Sequence, residues 1–223
     1  MTLQRKMHAT FLAAALAFGC AALPAVASAA PAAPAAPAAP AYIVTGNDGL
    51  ATYANSALDL WVSYVKTRSN RTLGQFNTVR DSIAAEAARR LAIDPATVQA
   101  AWRKADYSHQ VALLASFTQL GVPYRRNSSV PGQGFDCSGL TSWAWAQAGK
   151  SLFHQSRTQI NAAATVTRET AQAGDLVYYP GHVMMYLGVG SYIIHAPFTG
   201  RTVELASVAK NKVNSVRFGN PNV

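Results

Sequence analysis

The sequence predicts an α+β fold in which helices pack on an antiparallel sheet. Three observations predict it. Apolar residues recur at three-and-four spacing over about residues 47–105. A loop rich in Asn, Ser, Pro and Gly interrupts the chain from Arg125 to Gly134. Short β-rich runs separated by tight turns then follow one another to the end.

The chain has 223 residues. Residues 1–29 divide as an export signal: Arg5 and Lys6 form a basic start, an apolar stretch ends at Pro24, and Ala27-Ser28-Ala29 is a small-residue cleavage site. The apolar stretch is short beside the roughly 20 residues a membrane span needs, so no span is expected after cleavage. Lipidation of Cys20 is an alternative reading of the same segment. Residues 30–41 place a proline at every third position among alanines, which denies the helix its hydrogen bonds and predicts an extended linker.

A helical N-terminal region is expected over 42–105. Asn47 or Asp48 caps a first helix whose stripe is Leu50, Tyr53, Ala54, Ala57, Leu58, Trp61, Val62 and Val65. Arg68 to Leu73 breaks the pattern, and a second helix runs from about Gln75 to Leu91. Asp94-Pro95 starts a third, carrying Val98, Ala101 and Trp102. A second domain is expected over 106–218. It opens with a helix from Tyr107 to Leu120, and another begins at Cys137 and runs to Gly149. Strands follow at 175–179, 182–187, 192–196 and 202–205, with a last one over 213–218.

The chemistry centres on Cys137. With Cys20 in the export signal, it is the single thiol left in the mature chain, and an exported thiol without a partner needs a use. Set at a helix N-terminus, it faces backbone N–H groups that favour thiolate and can receive an oxyanion, which predicts a lowered pKa. Gly139 lets another backbone approach. Centring a turn on Gly188 and Val189 sets His182 opposite His195, on one face of a hairpin. His182 is then the base and His195 orients it. A one-residue slip would part them.

Other sites are weaker. Cys137, His182 and His195 have acceptable zinc-ligand types but lack a close-spaced pair, and neither metal nor cofactor is expected. Gly149-Lys150-Ser151 resembles the end of a phosphate loop, but Ala144 stands where its first glycine belongs. His109 and His154 are assigned surface or helix-end roles. Asp59, Asp81, Glu86 and Asp106 are read as solvated faces. The formal charge of +9 favours an anionic partner. Bacterial wall polymers suit it, whereas no basic stripe interleaved with aromatics points to nucleic acid.

Gly121-Val122-Pro123-Tyr124, Phe135-Asp136-Cys137-Ser138-Gly139-Leu140, Ala173-Gly174-Asp175-Leu176-Val177-Tyr178-Tyr179, His182-Val183 with Tyr186-Leu187-Gly188, and Ile194-His195-Ala196-Pro197 follow one another in that order. This series resembles the NlpC/P60 family over about residues 110–210. The resemblance implies a papain-like α+β domain and a secreted or wall-located cysteine endopeptidase of peptidoglycan stem peptides. Many members of that family cut between γ-D-glutamyl and meso-diaminopimelate. It implies Cys137 as nucleophile, His182 as base and His195 as the orienting residue, with Tyr124, Asp136 and Ser138 near the substrate. The sequence departs from the family pattern at Arg125 to Ser128, where an aromatic and paired glycines are usual, and at Met184, where a small residue is usual. Two other functions stay open beside the hydrolase. One is a wall protein that binds peptidoglycan without cutting it; the other is an acyltransferase using the same thioester chemistry.

Overall fold

The computed structural model describes residues 45–222. The expected export signal, Cys20 and the linker over 30–41 lie outside the described residues.

Helix α1 (Gly49–Thr67) starts at Asp48, whose Oδ1 accepts the Leu50 N–H at 2.8 Å. Its buried stripe is Leu50, Ala51, Ala54, Ala57, Leu58 and Trp61. Tyr53, which the spacing had placed inside, is 63% exposed. At 3.6 residues per turn it falls on the flank of that stripe. Helix α2 (Asn70–Arg90) begins earlier than the expected Gln75. Only Arg68 turns left-handed, at φ 54°, and the Ser69 side chain then caps the new helix by accepting the Thr72 N–H at 3.4 Å. Helix α3 (Pro95–Lys104) is capped by Asp94 and buries Val98 and Trp102.

Helix α4 (Tyr107–Phe117) is buried continuously from His109 to Phe117. A helix surrounded on all sides shows no amphipathic stripe, and it belongs at the centre of a core. The expected loop over 125–134 contains a small antiparallel pair, β1 (Ser129–Val130) with β2 (Gly134–Phe135). Helix α5 (Cys137–Gln147) follows. Helix α6 (Ser156–Ala162) and strand β3 (Ala164–Val166) were not anticipated, because neither is long enough to show a period.

The remaining strands are β4 (Leu176–Tyr179), β5 (His182–Tyr186), β6 (Tyr192–His195), β7 (Glu204–Ser207) and β8 (Arg217–Asn220). They form a six-stranded sheet in the order β3-β8-β4-β5-β6-β7, antiparallel at every pairing. This is the α+β, papain-like arrangement of helices packed on an antiparallel sheet. Leu176, Tyr178, Val183, Met185 and Ile194 join the core shared with α1 to α5. Val177, Met184, Tyr186, Ile193 and Phe218 lie in a second, smaller cluster. Buried Trp102 donates its indole N–H to the Leu187 carbonyl at 3.1 Å, which ties α3 to the connection after β5.

The β5–β6 register differs from the expected one. Tyr186 opposes Ile193 and Met185 opposes Ile194, so His195 stands across from Met184 and not from His182. The turn is wider because Leu187 N–H bonds Tyr192 O at 3.0 Å, leaving Gly188 to Ser191 outside the ladder, with Gly188 and Gly190 at positive φ. The offset is two residues, and an even offset keeps every side chain on its face.

Candidate active site

Cys137 is the first residue of α5 and a half-buried free thiol. The fold places it there through Asp136. Its Oδ1 accepts the Gly139 N–H at 2.7 Å and the Ser138 hydroxyl at 3.1 Å, and lies 2.9 Å from His154 Nε2. Its Oδ2 accepts the Asn127 N–H at 2.8 Å. Asp136 is therefore a helix cap saturated by protein donors, and His154, assigned no partner from sequence, is one of its neighbours. A Cβ on Gly139 would stand 2.1 Å from the Ser128 carbonyl oxygen, so the close backbone approach expected there is real. Ser138 is buried, and its carbonyl accepts from the Gln159 side chain at 2.8 Å.

The helix-tip argument predicted a lowered thiol pKa. Instead, burial pushes the Cys137 thiol up, while N–H groups of Val183, Ser138 and Cys137 itself pull the other way and the Asp136 charge adds to the rise. Removal of water outweighs the favourable dipoles. Tyr124 stands beside this group: burial and then the Cys137 and Asp136 charges raise its hydroxyl pKa. A parallel bridge to Phe135 and a bond from its N–H to Arg201 O, 2.8 Å, hold its backbone.

His182 opens β5 and His195 ends β6. The even register offset leaves them diagonal on one face, where His182 Nε2 lies 2.8 Å from His195 Nδ1 and the rings meet edge to face at 74°. Burial lowers the His182 pKa to about 4. Burial, then the His182 and Arg201 charges, lower that of His195 to about 3. Tyr179 lies against the His182 ring at 5.3 Å between centroids. On β5, the Val183 N–H next to His182 favours the Cys137 thiolate.

These depressed pKa values set a stability prediction. Both rings are neutral in the fold but take protons when unfolded below about 6.5. Stability is thus full above that value and falls as pH drops towards 4 and 3. Each ring contributes up to about 1.4 kcal/mol per pH unit in its window. Urea midpoints fall between pH 6.5 and 4.5, above the range where ordinary carboxylates titrate. A flat profile would contradict the burial.

Sequence reasoning missed several groups around this centre. Glu204 pairs directly with His195 across β6–β7, and its Oε1 lies 3.6 Å from His195 Nε2. The Arg201 Nη2 lies 2.7 Å from both Glu204 oxygens. Extending the hairpin count past Gly200 would have found Glu204. His109, assigned to the surface or a helix end, is buried in α4 with its Nε2 3.0 Å from Asp175 Oδ1. A wholly buried helix leaves its imidazole no water, so it takes a buried partner. Asp81, read as solvated, meets Arg80 and Arg103 at 2.9 and 2.8 Å. Among the described residues, no group of three or more His, Cys, Asp or Glu is placed to hold a metal ion.

Residues 121–219 match the model of the NlpC/P60 family. A protein of Corynebacterium glutamicum named "Probable endopeptidase" is 40% identical over 118 residues, 52% of this chain and 55% of that one. Peptidoglycan endopeptidase RipA of Mycolicibacterium smegmatis is 36% identical over 115 residues, 44% of this chain and 23% of that one. The crystal structure of an NlpC/P60 family protein from Bacillus cereus aligns with a TM-score of 0.46 at 26% identity, covering 50% of this chain and 39% of that one. The chain spans about half the length of the C. glutamicum relative. The motif series and the α+β architecture agree with this match, which identifies residues 121–219 as a segment of the NlpC/P60 family.

Proposed function

We propose that the chain is a secreted cysteine endopeptidase that hydrolyses amide bonds in peptidoglycan stem peptides, at the γ-D-glutamyl–diaminopimelate bond, through a thioester. Residues 106–218 carry the catalysis in this reading. The observation that carries it is the neutral histidine pair, 2.8 Å apart on β5 and β6, in a chain whose half-buried free thiol opens α5. The family match over residues 121–219 and the names of the relatives support the substrate class.

The protonation states support one order of events. Thiol and imidazoles are both neutral at rest, so the proton moves when substrate arrives and not before. As Cys137 Sγ attacks the amide carbonyl, His182 takes the thiol proton. Backbone N–H groups at the start of α5 receive the developing oxyanion, where removal of water strengthens them. The His182 imidazolium then protonates the leaving amine, and water releases the acyl group from sulfur with His182 again as base. Tyr124 borders the sulfur and shapes the substrate's approach. Asp136 and Ser138 act here by fixing α5 beneath the thiol, since the Asp136 carboxylate is already occupied by protein donors.

A cleft of about 460 Å³ lined by Arg157, Asn161, Tyr178, Pro180, Ser215 and Arg217 adjoins the turn that leads into His182. Its two guanidiniums suit the carboxylates of a stem peptide.

The test is digestion of purified peptidoglycan followed by mass analysis of the fragments. Fragments bearing a new diaminopimelate amine and a free γ-carboxyl are the expected result. Binding of peptidoglycan with no fragment would overturn the hydrolase reading and favour the wall-binding one. An acyl group passed to an amine in place of water would favour the acyltransferase.

A further inference from the structure

We propose that Glu204 is a positioning residue that sets the tautomer of His195 and, through it, the nitrogen of His182 that is free to act as base. This rests on the cysteine-peptidase reading and adds a fourth member to its machinery.

The contact between His182 Nε2 and His195 Nδ1 at 2.8 Å needs one proton between two neutral rings. There are two ways to supply it. If His195 carries the proton on Nδ1, it donates to His182, and His182 must carry its own proton on Nδ1. No lone pair is then left for the thiol. If His195 carries its proton on Nε2, its Nδ1 accepts from His182 Nε2–H, and His182 Nδ1 is a free lone pair. Only the second arrangement gives a base.

The fold selects the second. The β6–β7 register sets Glu204 directly across from His195, so the two side chains share a face. His195 Nε2 is buried without a hydrogen-bond partner among the described residues, and Glu204 Oε1 is the carboxylate oxygen 3.6 Å away. That separation is about half an ångström beyond a hydrogen bond, a gap that catalytic contacts close when substrate binds. A lone pair on Nε2 would face the carboxylate, acceptor against acceptor; an N–H there is attracted to it.

Arg201 completes the device. Its Nη2 holds both Glu204 oxygens at 2.7 Å and fixes the carboxylate's direction. It also balances the carboxylate's charge. Glu204 can thus choose which His195 nitrogen is protonated without drawing a second proton onto the ring, in keeping with the neutral state of His195.

The experiment is long-range proton–nitrogen correlation of the histidine rings in the 15N-labelled full chain near pH 7, beside turnover measurements. The unmodified protein is expected to show His195 protonated on Nε2. Glu204→Ala is expected to populate the Nδ1–H form and to lower kcat roughly tenfold or more with KM little changed, because a wrong tautomer leaves binding intact. Glu204→Gln keeps an acceptor oxygen and is expected to retain the tautomer and most of the rate. A His195 protonated on Nδ1 in the unmodified protein, or an unchanged tautomer in Glu204→Ala, overturns the proposal. The tautomer is read without turnover. A chain that shows the Nε2–H form yet cuts no peptidoglycan therefore upholds the role of Glu204 while the peptidase reading falls alone.

Discussion

If the proposed mechanism holds, Cys137→Ala and His182→Ala are each expected to abolish peptidoglycan cleavage, with the double variant no worse than either. The expected loss in kcat is about a millionfold for each. The reason is the resting protonation. A thiol pushed up by burial and an imidazole pushed down to about 4 are each poor at their task alone. In the proposed mechanism they work as one unit, in which proton transfer and attack are a single event, so removing either part removes the whole. The residual rate comes from the backbone N–H groups and from binding. Single-turnover digestion followed by mass analysis measures all three variants. Additive losses, with the double variant far below both singles, would mean that the two groups act in separate steps.

In the proposed mechanism the same pair sets the low-pH arm of the rate. His182 must be neutral to accept the thiol proton, and its pKa of about 4 lies well below the ordinary 6.5. Activity therefore persists at pH values where an ordinary histidine base would already be protonated.

The second large effect is on stability and lies away from the thiol. Asp175→Ala lowers unfolding free energy by roughly 3–5 kcal/mol, which shifts the melting midpoint by about 10 °C. Asp175 is 1% exposed and His109 is fully buried. The carboxylate lies 3.0 Å from His109 Nε2 and accepts the Gln172 N–H at 2.7 Å. Removing it strands an imidazole inside α4, edge-on to Trp145 at 4.9 Å, together with a backbone donor. Asp175→Asn keeps the size and an acceptor, and loses less. Denaturant melts rank the three proteins, and rates measured where each is folded stay close together. A loss below about 1 kcal/mol would show that water reaches the pair.

The thiol, its helix and both histidines were legible in the sequence because each depends on local rules: a cap before Cys137, a Pro-Gly turn before His182, and alternation along a strand. The hairpin register was misplaced by two because the turn width depends on the Leu187 and Tyr192 bond, which no pattern announces. The histidines still met, since parity and not register decides the face. The thiol's pKa was misread because dipoles can be counted from sequence while burial cannot. His109 was misplaced for a related reason. A helix enclosed on every side carries no stripe to say which residues are inside. Glu204 was missed because its part depends on a second hairpin, whose strand begins later than the composition suggested.

The indole of Trp102 reaches across to the Leu187 carbonyl at the root of the turn that spaces the two histidines. Trimming the protein back to residues 106–218 would cut that tether and leave a carbonyl stranded in a greasy hole. The shortened chain would then have to hold its hairpin at the right gauge unaided. What looks like a detachable preface is a brace for the hairpin that carries the two histidines.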